Sequence, residues 1–272
     1  MAIKCIVVGQ SSDALRHTRL QMGIDLAKRF DAHLNVVCVG ERPDYPAGMI
    51  GRAMSLAYLD EIAGAAKQRI EAMKLETQEA CAGLPSWEWH VEQGAVDEII
   101  AHYANLADLL IFGQAPLTHG DATISLEVSD YLVMAASCVT LLVPDGWQAV
   151  PVGQRILIAW KNSKEAISAV RNSLPFLCDA HSTFILADAH DERVDPPGSE
   201  LVAYLKRHDV QAEIYGTTGG AGGEAILNAA RDCDCDLIVM GATGRTSLRA
   251  MILGGATDHV LRETSIPLLL RH

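Results

Sequence analysis

The sequence predicts an α/β fold made twice over: two similar doubly wound domains, each a five-stranded parallel sheet with helices on both faces. Three observations predict it. Short apolar runs alternate with helix-length segments along all 272 residues, a pattern that implies crossover connections and a parallel sheet covered on both sides. Gly94-Ala-Val-Asp-Glu-Ile-Ile-Ala-His-Tyr-Ala-Asn-Leu-Ala-Asp-Leu-Leu-Ile-Phe-Gly113 recurs as Gly222-Gly-Glu-Ala-Ile-Leu-Asn-Ala-Ala-Arg-Asp-Cys-Asp-Cys-Asp-Leu-Ile-Val-Met-Gly241, and 222 − 94 and 241 − 113 both give 128. Between the copies, Pro144-Asp-Gly-Trp-Gln-Ala-Val-Pro-Val-Gly153 is rich enough in proline and glycine to serve as a connector, which divides the chain into 1–148 and 149–272.

In the first half the strands are expected at 3–9, 34–39, 87–92, 108–112 and 139–143. Runs such as Val139-Thr-Leu-Leu-Val143 are almost continuously apolar, as strands buried on both faces must be. The stretch 49–81, rich in Ala and Glu, reads as an extended helix. In the second half the strands are expected at 155–160, 183–188, 210–215, 236–240 and 266–270, with a shorter helix over 197–208. The starts of the halves agree as well: Cys5-Ile-Val-Val-Gly-Gln-Ser-Ser12 parallels Ile156-Leu-Ile-Ala-Trp-Lys-Asn-Ser163, each a strand leading to a helix N-cap. In a sheet of this kind ligands bind at the carboxyl ends of the strands.

Composition removes several functional classes. Apolar residues make up 49% and charged residues 21%, which supports packed cores rather than disorder. No apolar run approaches the roughly 20 residues that cross a bilayer, and the N-terminus enters a strand directly, so a cytoplasmic protein without a membrane segment is expected. A formal charge of −12, with no Lys/Arg cluster interleaved with aromatics, argues against nucleic-acid binding. Seven scattered cysteines do not form a disulfide framework and fit a reducing compartment. Cys233-Asp-Cys235 has no companion pair and reads as buried small hydrophobes rather than a metal site.

The segment that carries chemistry is Asp236-Leu-Ile-Val-Met-Gly241-Ala-Thr-Gly244, followed by 245–253 and then Gly254-Gly255-Ala256-Thr257. An apolar strand ending at Gly241, a glycine-spaced loop, a helix-like stretch over 245–253 and a second small-residue cluster are the parts of a phosphate-binding loop. Gly241 and Gly244 are free to take positive φ and approach an anion closely. Arg245 and Arg249 add cationic donors, and 254–257 offer backbone N–H groups at the start of a helix running through His259. Taken alone, the glycine spacing is more simply a strand end and a helix cap than a ligand site.

Other constellations weigh less. Gly220-x-Gly222-x-x-Ala225 matches a dinucleotide fingerprint, yet it follows the third strand of its half rather than the first, so a helix entry is the simpler reading. No Gly-x-Ser-x-Gly elbow is present, Ser163 reads as an N-cap rather than a nucleophile, and the histidines lack metal spacing. Asp188, Asp191, Glu192 and Asp195 either hold Mg²⁺ beside phosphates or form a solvated loop. Trp160, ending the first strand of the second half, either stacks on a base or caps the core. For a slow ATPase or an oxidoreductase only Asp188, Asp258 and His259 are candidate bases, and no catalytic residue is assigned.

Gly241-x-x-Gly244, nine residues, then Gly254 and a small residue resembles the nucleotide motif of the universal stress proteins, and the duplication resembles their tandem, two-domain members over essentially the whole chain. The resemblance implies five parallel strands per domain; in nucleotide-binding members ATP lies across the strand ends with its phosphates on the glycine loop, while other members lack the motif. It implies a cytoplasmic, non-enzymatic regulatory protein that binds ATP or another adenine nucleotide in its second half through Trp160, Lys161, Asp188, Met240, Gly241, Thr243, Gly244, Arg245, Gly254, Gly255, Ala256 and Thr257, with Mg²⁺ only alongside the nucleotide. The alternative is an interaction protein whose sites are vestigial. Three departures bear on the choice: Gly255 replaces the usual Ser or Thr, Lys161 replaces the usual acidic residue, and in the first half Pro116 stands where a glycine would follow Gly113, so that half is expected to have lost its site. Because single-domain members pair through their last strands, 139–143 and 266–270 are expected to meet as an intramolecular pseudo-twofold; a homodimer is compatible with this, and no protein partner is specified.

Overall fold

The computed structural model describes residues 2–11, 13, 15–40, 56–114, 132–148, 151–188, 196–218, 222–242, 244–247 and 250–272. The first half contains β1 (Cys5–Gln10), α1 (Arg16–Phe30), β2 (His33–Gly40), α2 (Leu56–Ala80), β3 (Trp87–Gln93), α3 (Val96–Ala104), β4 (Leu109–Gly113) and β5 (Val139–Val143), with a helical turn at 132–135 before β5. The second contains β6 (Arg155–Trp160), α4 (Lys164–Asp179), β7 (Ser182–Asp188), α5 (Ser199–Lys206), β8 (Ala212–Thr218), α6 (Gly222–Asp232), β9 (Leu237–Gly241), β10 (Gly244–Ser247), β11 (Ala250–Leu253), α7 (Gly255–Glu263) and β12 (Leu268–Arg271). Each expected strand is found, displaced by at most a few residues; the central ones are short apolar runs, while β3 and β8, at the two edges of the sheet, are mixed polar and apolar.

Among the described residues ten strands form one sheet in the order β3-β2-β1-β4-β5-β12-β9-β6-β7-β8. Within this sheet pairing is parallel in each half and antiparallel only where β5 meets β12, with Leu141 opposite Leu269. The expected meeting of the two last strands is thus present, and it covers an edge that either half alone would expose. The strands of the two halves therefore run in opposite senses, so their carboxyl ends lie at opposite ends of the sheet.

Side chains alternate along the strands and divide the core into two layers. Ile6, Val8, Ile111, Ile156, Ile158 and Val239 face α1 and α4, whereas Val7, Leu110, Leu157, Ile238 and Met240 face α3, α6 and α7. The halves also cap each other's last helices. Gln114, buried, donates from Nε2 to Leu261 O (2.6 Å) and Arg262 O (2.8 Å) at the end of α7. Arg271 donates to Ala136 O at 2.7 Å and Cys138 O at 3.3 Å at the end of the turn before β5. Each cap satisfies carbonyls that the helix itself leaves open.

The repeat has a further structural meaning. Asp108 Oδ2 accepts from Lys4 N and Cys5 N at 2.7 and 2.9 Å, and Asp236, its copy at the offset of 128, accepts from Gly153 N at 2.8 Å and Gln154 N at 3.0 Å. Each carboxylate ties down the start of the neighbouring strand. Asp108 N bonds Cys5 O and Asp236 N bonds Arg155 O, so Cys5 is equivalent to Arg155, one residue earlier than the sequence parallel with Ile156 implies.

Two local expectations are corrected. The stretch 245–253 is not helical: β10 and β11 form an antiparallel hairpin, Gly244 opposite Leu253 and Arg245 opposite Ile252. Nine residues make a marginal helix, and β-branched Thr246 and Ile252 suit a ladder. Gly241 does not adopt positive φ; it closes β9 in extended backbone, and Gly254 has φ −66° and ψ 150°. The long first-half helix is described from Leu56, with 49–55 outside the described residues. Cys233 and Cys235 are buried as expected, 6% and 7% exposed, and burial pushes the Cys235 thiol up to about 12.

Candidate functional site

Six of the expected residues, Met240, Gly241 and 254–257, lie where β9 ends and α7 begins. Gly241 is there for close packing: a Cβ on it would stand 2.6 Å from Glu165 C and 2.8 Å from Ala166 Cα, inside the first turn of α4. The glycine therefore admits a helix backbone rather than a phosphate on that side. Met240, 5% exposed, is buried on the opposite face beneath α6 and α7. Ala242 and Gly254 continue the loop that leads to α7.

The N-termini of α6 and α7 meet at this end. A Cβ on Gly222 would come within 3.1 Å of Ala256 Cβ, and one on Gly223 within 2.6 to 2.9 Å of His259, so the two helices start side by side through glycine contacts. This gives Gly222 a packing role in place of the dinucleotide-fingerprint reading; 219–221 lie outside the described residues. Two helix starts add their partial positive charges, and their first N–H groups have no partner within the helix itself. No side chain caps α7, whose N-cap is Gly254. Gly255 is exposed, and a Cβ on it would meet nothing within 4 Å, whereas Thr257 is 1% exposed and turns inward.

The start of α4 differs. Ser163 Oγ accepts from Ala166 N at 3.2 Å, as its N-cap reading expects. Glu165 adds a carboxylate held below its ordinary range, first by a hydrogen bond from its own backbone N–H and further by Ser163. That helix start is capped by a side chain, whereas α7, which also has a carboxylate in its first turn, Asp258, has no side-chain cap at Gly254.

The remaining expected residues lie apart. Trp160 points to the α1 and α4 face and lines a groove of about 200 Å³ with Ile167, Val170, Leu201 and Tyr204, and Arg171 and Glu200 also line it. The sheet separates this groove from α7, so one ligand reaches both only by arching over the strand ends. Trp160 thus packs against the core and lines a cavity at once. Lys161 is exposed and Asp188, ending β7, is half-buried. Gly244 and Arg245 lie in β10; Thr243, Arg249 and 189–195 lie outside the described residues. Of the candidate bases, Asp258 accepts from Arg262 Nε at 2.8 Å and His259 packs over Gly223. Among the described residues no group of His, Cys, Asp or Glu is placed to hold a metal, and no helix is long and apolar enough to cross a membrane.

Sequence reasoning missed one group at the other end of the sheet: Arg19 with Asp13, beside Gly113. Only the repeated position of Gly113 could have drawn attention there, because Asp13 and Arg19 are six residues apart and bond only once the connector before α1 has folded.

Known proteins share this architecture. A universal stress protein from Archaeoglobus fulgidus DSM 4304 superposes with a TM-score of 0.77 over 98% of this chain and 95% of its own, at 16% identity, a likeness of fold. A universal stress protein of Synechocystis sp. is 46% identical over 46 residues, and one of Methanocaldococcus jannaschii is 36% identical over 47. These two matches span 16% and 29% of the respective relatives, and each covers 17% of this chain. The family model described as "Universal stress protein family" matches residues 3–144 and 199–272, most of both halves, and on that ground the chain belongs to the universal stress protein family, as a tandem two-domain member.

Proposed function

We propose that the second of two domains, 1–148 and 149–272, binds an adenine nucleotide at the carboxyl ends of its strands, and that the protein regulates a stress response rather than turning the nucleotide over. The observation that carries this reading is the meeting of the α6 and α7 N-termini, with α7 lacking a side-chain cap. Phosphates have there what an anion needs: convergent backbone N–H groups, the positive ends of two helices, and open space at Gly255. The base and ribose then extend along the strand ends toward Asp188, Lys161 and Trp160, and any Mg²⁺ enters with the phosphates. A second reading, an interaction protein with an empty vestigial site, is favoured by Gly255 itself, which contributes no hydroxyl.

Gly255 also offers the cleanest test. Gly241→Ala drives a methyl into α4 and confuses a lost ligand with a lost fold, whereas a Cβ at exposed position 255 meets nothing within 4 Å. ATP, ADP and AMP are titrated by calorimetry into three proteins. Wild type is expected to bind at least one, Gly255→Ser to bind it more tightly, and Gly255→Asp to fold normally yet bind about tenfold or more weakly, since a carboxylate there competes for the helix start, an effect worth roughly 1.4 kcal/mol. Absence of binding by wild type and Gly255→Ser alike would reject the nucleotide and leave the second reading.

A further inference from the structure

The strand ends of the first half hold a buried cation whose ligand is the chain's own. Arg19, in the first turn of α1, has a side chain only 6% exposed. Its Nη1 and Nη2 donate to Asp13 Oδ1 and Oδ2 at 2.8 and 2.6 Å, and its Nε donates to Gly9 O, near the end of β1, at 3.1 Å. The same guanidinium presses on Gly113, the last residue of β4, where a Cβ would come within 2.5 Å of Nη1. Asp13 additionally accepts from the Ser11 hydroxyl and, at 2.8 Å, from Leu15 N.

Gly113 and Gly241 are equivalent in the repeat, yet different groups lie against them. Over Gly241 sits the first turn of α4; over Gly113 sits Arg19. The reason is the connector. Between β1 and α1 run five residues, 11–15, against three, 161–163, between β6 and α4, so α1 starts farther from the strand ends and a long side chain fills the gap. An arginine there cannot shed its proton, so burial demands an anionic partner that offers two oxygens to the fork. A carboxylate, phosphate or sulfate meets that demand equally well.

We propose that Arg19, backed by Gly9 and Gly113, forms a small-oxyanion site at the strand ends of the first half, and that Asp13 occupies it as a built-in ligand. The half closes its own crevice with an internal anion where a ligand would otherwise enter. Asp13 is 35% exposed by its side chain while Arg19 is buried, so removing the carboxylate opens a path from solvent to the guanidinium. The inference is independent of nucleotide binding by the second half, whose strand ends lie at the far end of the sheet.

The test is rescue by added anion. Thermal unfolding of Asp13→Ala is followed in formate, acetate or inorganic phosphate, each against chloride of equal ionic strength, alongside wild type and the double variant Asp13→Ala/Arg19→Met. Asp13→Ala is expected to melt below wild type in chloride and to regain Tm saturably with millimolar formate, by on the order of 5 °C. Wild type and the double variant are expected to show no saturable response to formate, and any response to phosphate that they share with Asp13→Ala belongs to the second half. Should Asp13→Ala prove unfolded in chloride, formate is expected to restore its cooperative transition. A Tm of Asp13→Ala that ignores all three anions, or rescue that persists without Arg19, overturns the proposal. Saturable stabilisation of wild type by formate that Arg19→Met abolishes overturns it too, because the site would then not be filled by Asp13.

Discussion

Asp13 is a single residue whose environment has a measurable signature. Its partial burial, the largest influence, raises the carboxyl pKa; the hydrogen bonds and charge of Arg19, followed by Ser11 and Leu15 N–H, outweigh that and hold it below the ordinary value of 3.8. A pKa lower in the folded than in the unfolded chain means the ion pair's contribution is complete above the ordinary carboxylate range and disappears as pH falls through the depressed value. The Tm difference between wild type and Asp13→Asn is therefore expected to stay constant from about pH 8 to 5 and to narrow below about pH 4. Scanning calorimetry across that range checks it, and a gap that widens on acidification counts against the assignment. Gly241 illustrates the opposite case, a residue whose chemistry is pure absence: its spacing in the motif suggests a phosphate contact, and its missing side chain serves a helix instead.

At the scale of elements, the site depends on how tightly α6 and α7 approach. Gly→Ala in a helix normally stabilises by about 1 kcal/mol, so Gly223→Ala is informative because the sign is expected to reverse. Its methyl would meet His259 at Cδ2 and also at Cβ, 2.8 Å away, an atom fixed to the α7 backbone that cannot swing aside. A net loss of about 1–2 kcal/mol in urea unfolding is expected, as in other overpacked sites. His259→Ala should recover only part of it, since its Cβ remains. The elements themselves were legible from their spacing: β5, β6 and the N-cap at Ser163 fall where the apolar runs and capping chemistry put them. The hairpin of β10 and β11 was not, because a short run of mixed polar and β-branched residues satisfies two periodicities and only its surroundings choose between them.

Across the whole molecule, the sheet, the core layers and the helix caps all cross the midline. Leu141 and Leu142 pair with Leu269 and Leu268, Gln114 holds the end of α7, and Arg271 holds the turn before β5. Arg29 adds a further tie, donating to Val152 O at 2.8 Å and lying 5.2 and 5.5 Å from the ring centres of Phe30 and Phe176. A chain ending at residue 148 loses all of these contacts but that of Arg29 with Phe30, and bares the apolar edge of β5. It is expected to self-associate or precipitate, as light scattering after size exclusion would show, and a soluble monomer would mean that the halves are energetically independent.

The duplication, the strand order in sequence, the buried cysteines and the family motif were determined by the sequence itself, because they rest on composition, short-range periodicity and the offset of 128 between two copies. What those glycines touch was decided only in three dimensions. The same position carries a helix start in one half and an arginine in the other, since a difference of two residues in connector length changes which group can reach the strand end. Likewise Trp160 and α7 are near one another along the strand ends but on opposite faces, a separation set by the alternation of side chains across the sheet and invisible in the linear motif.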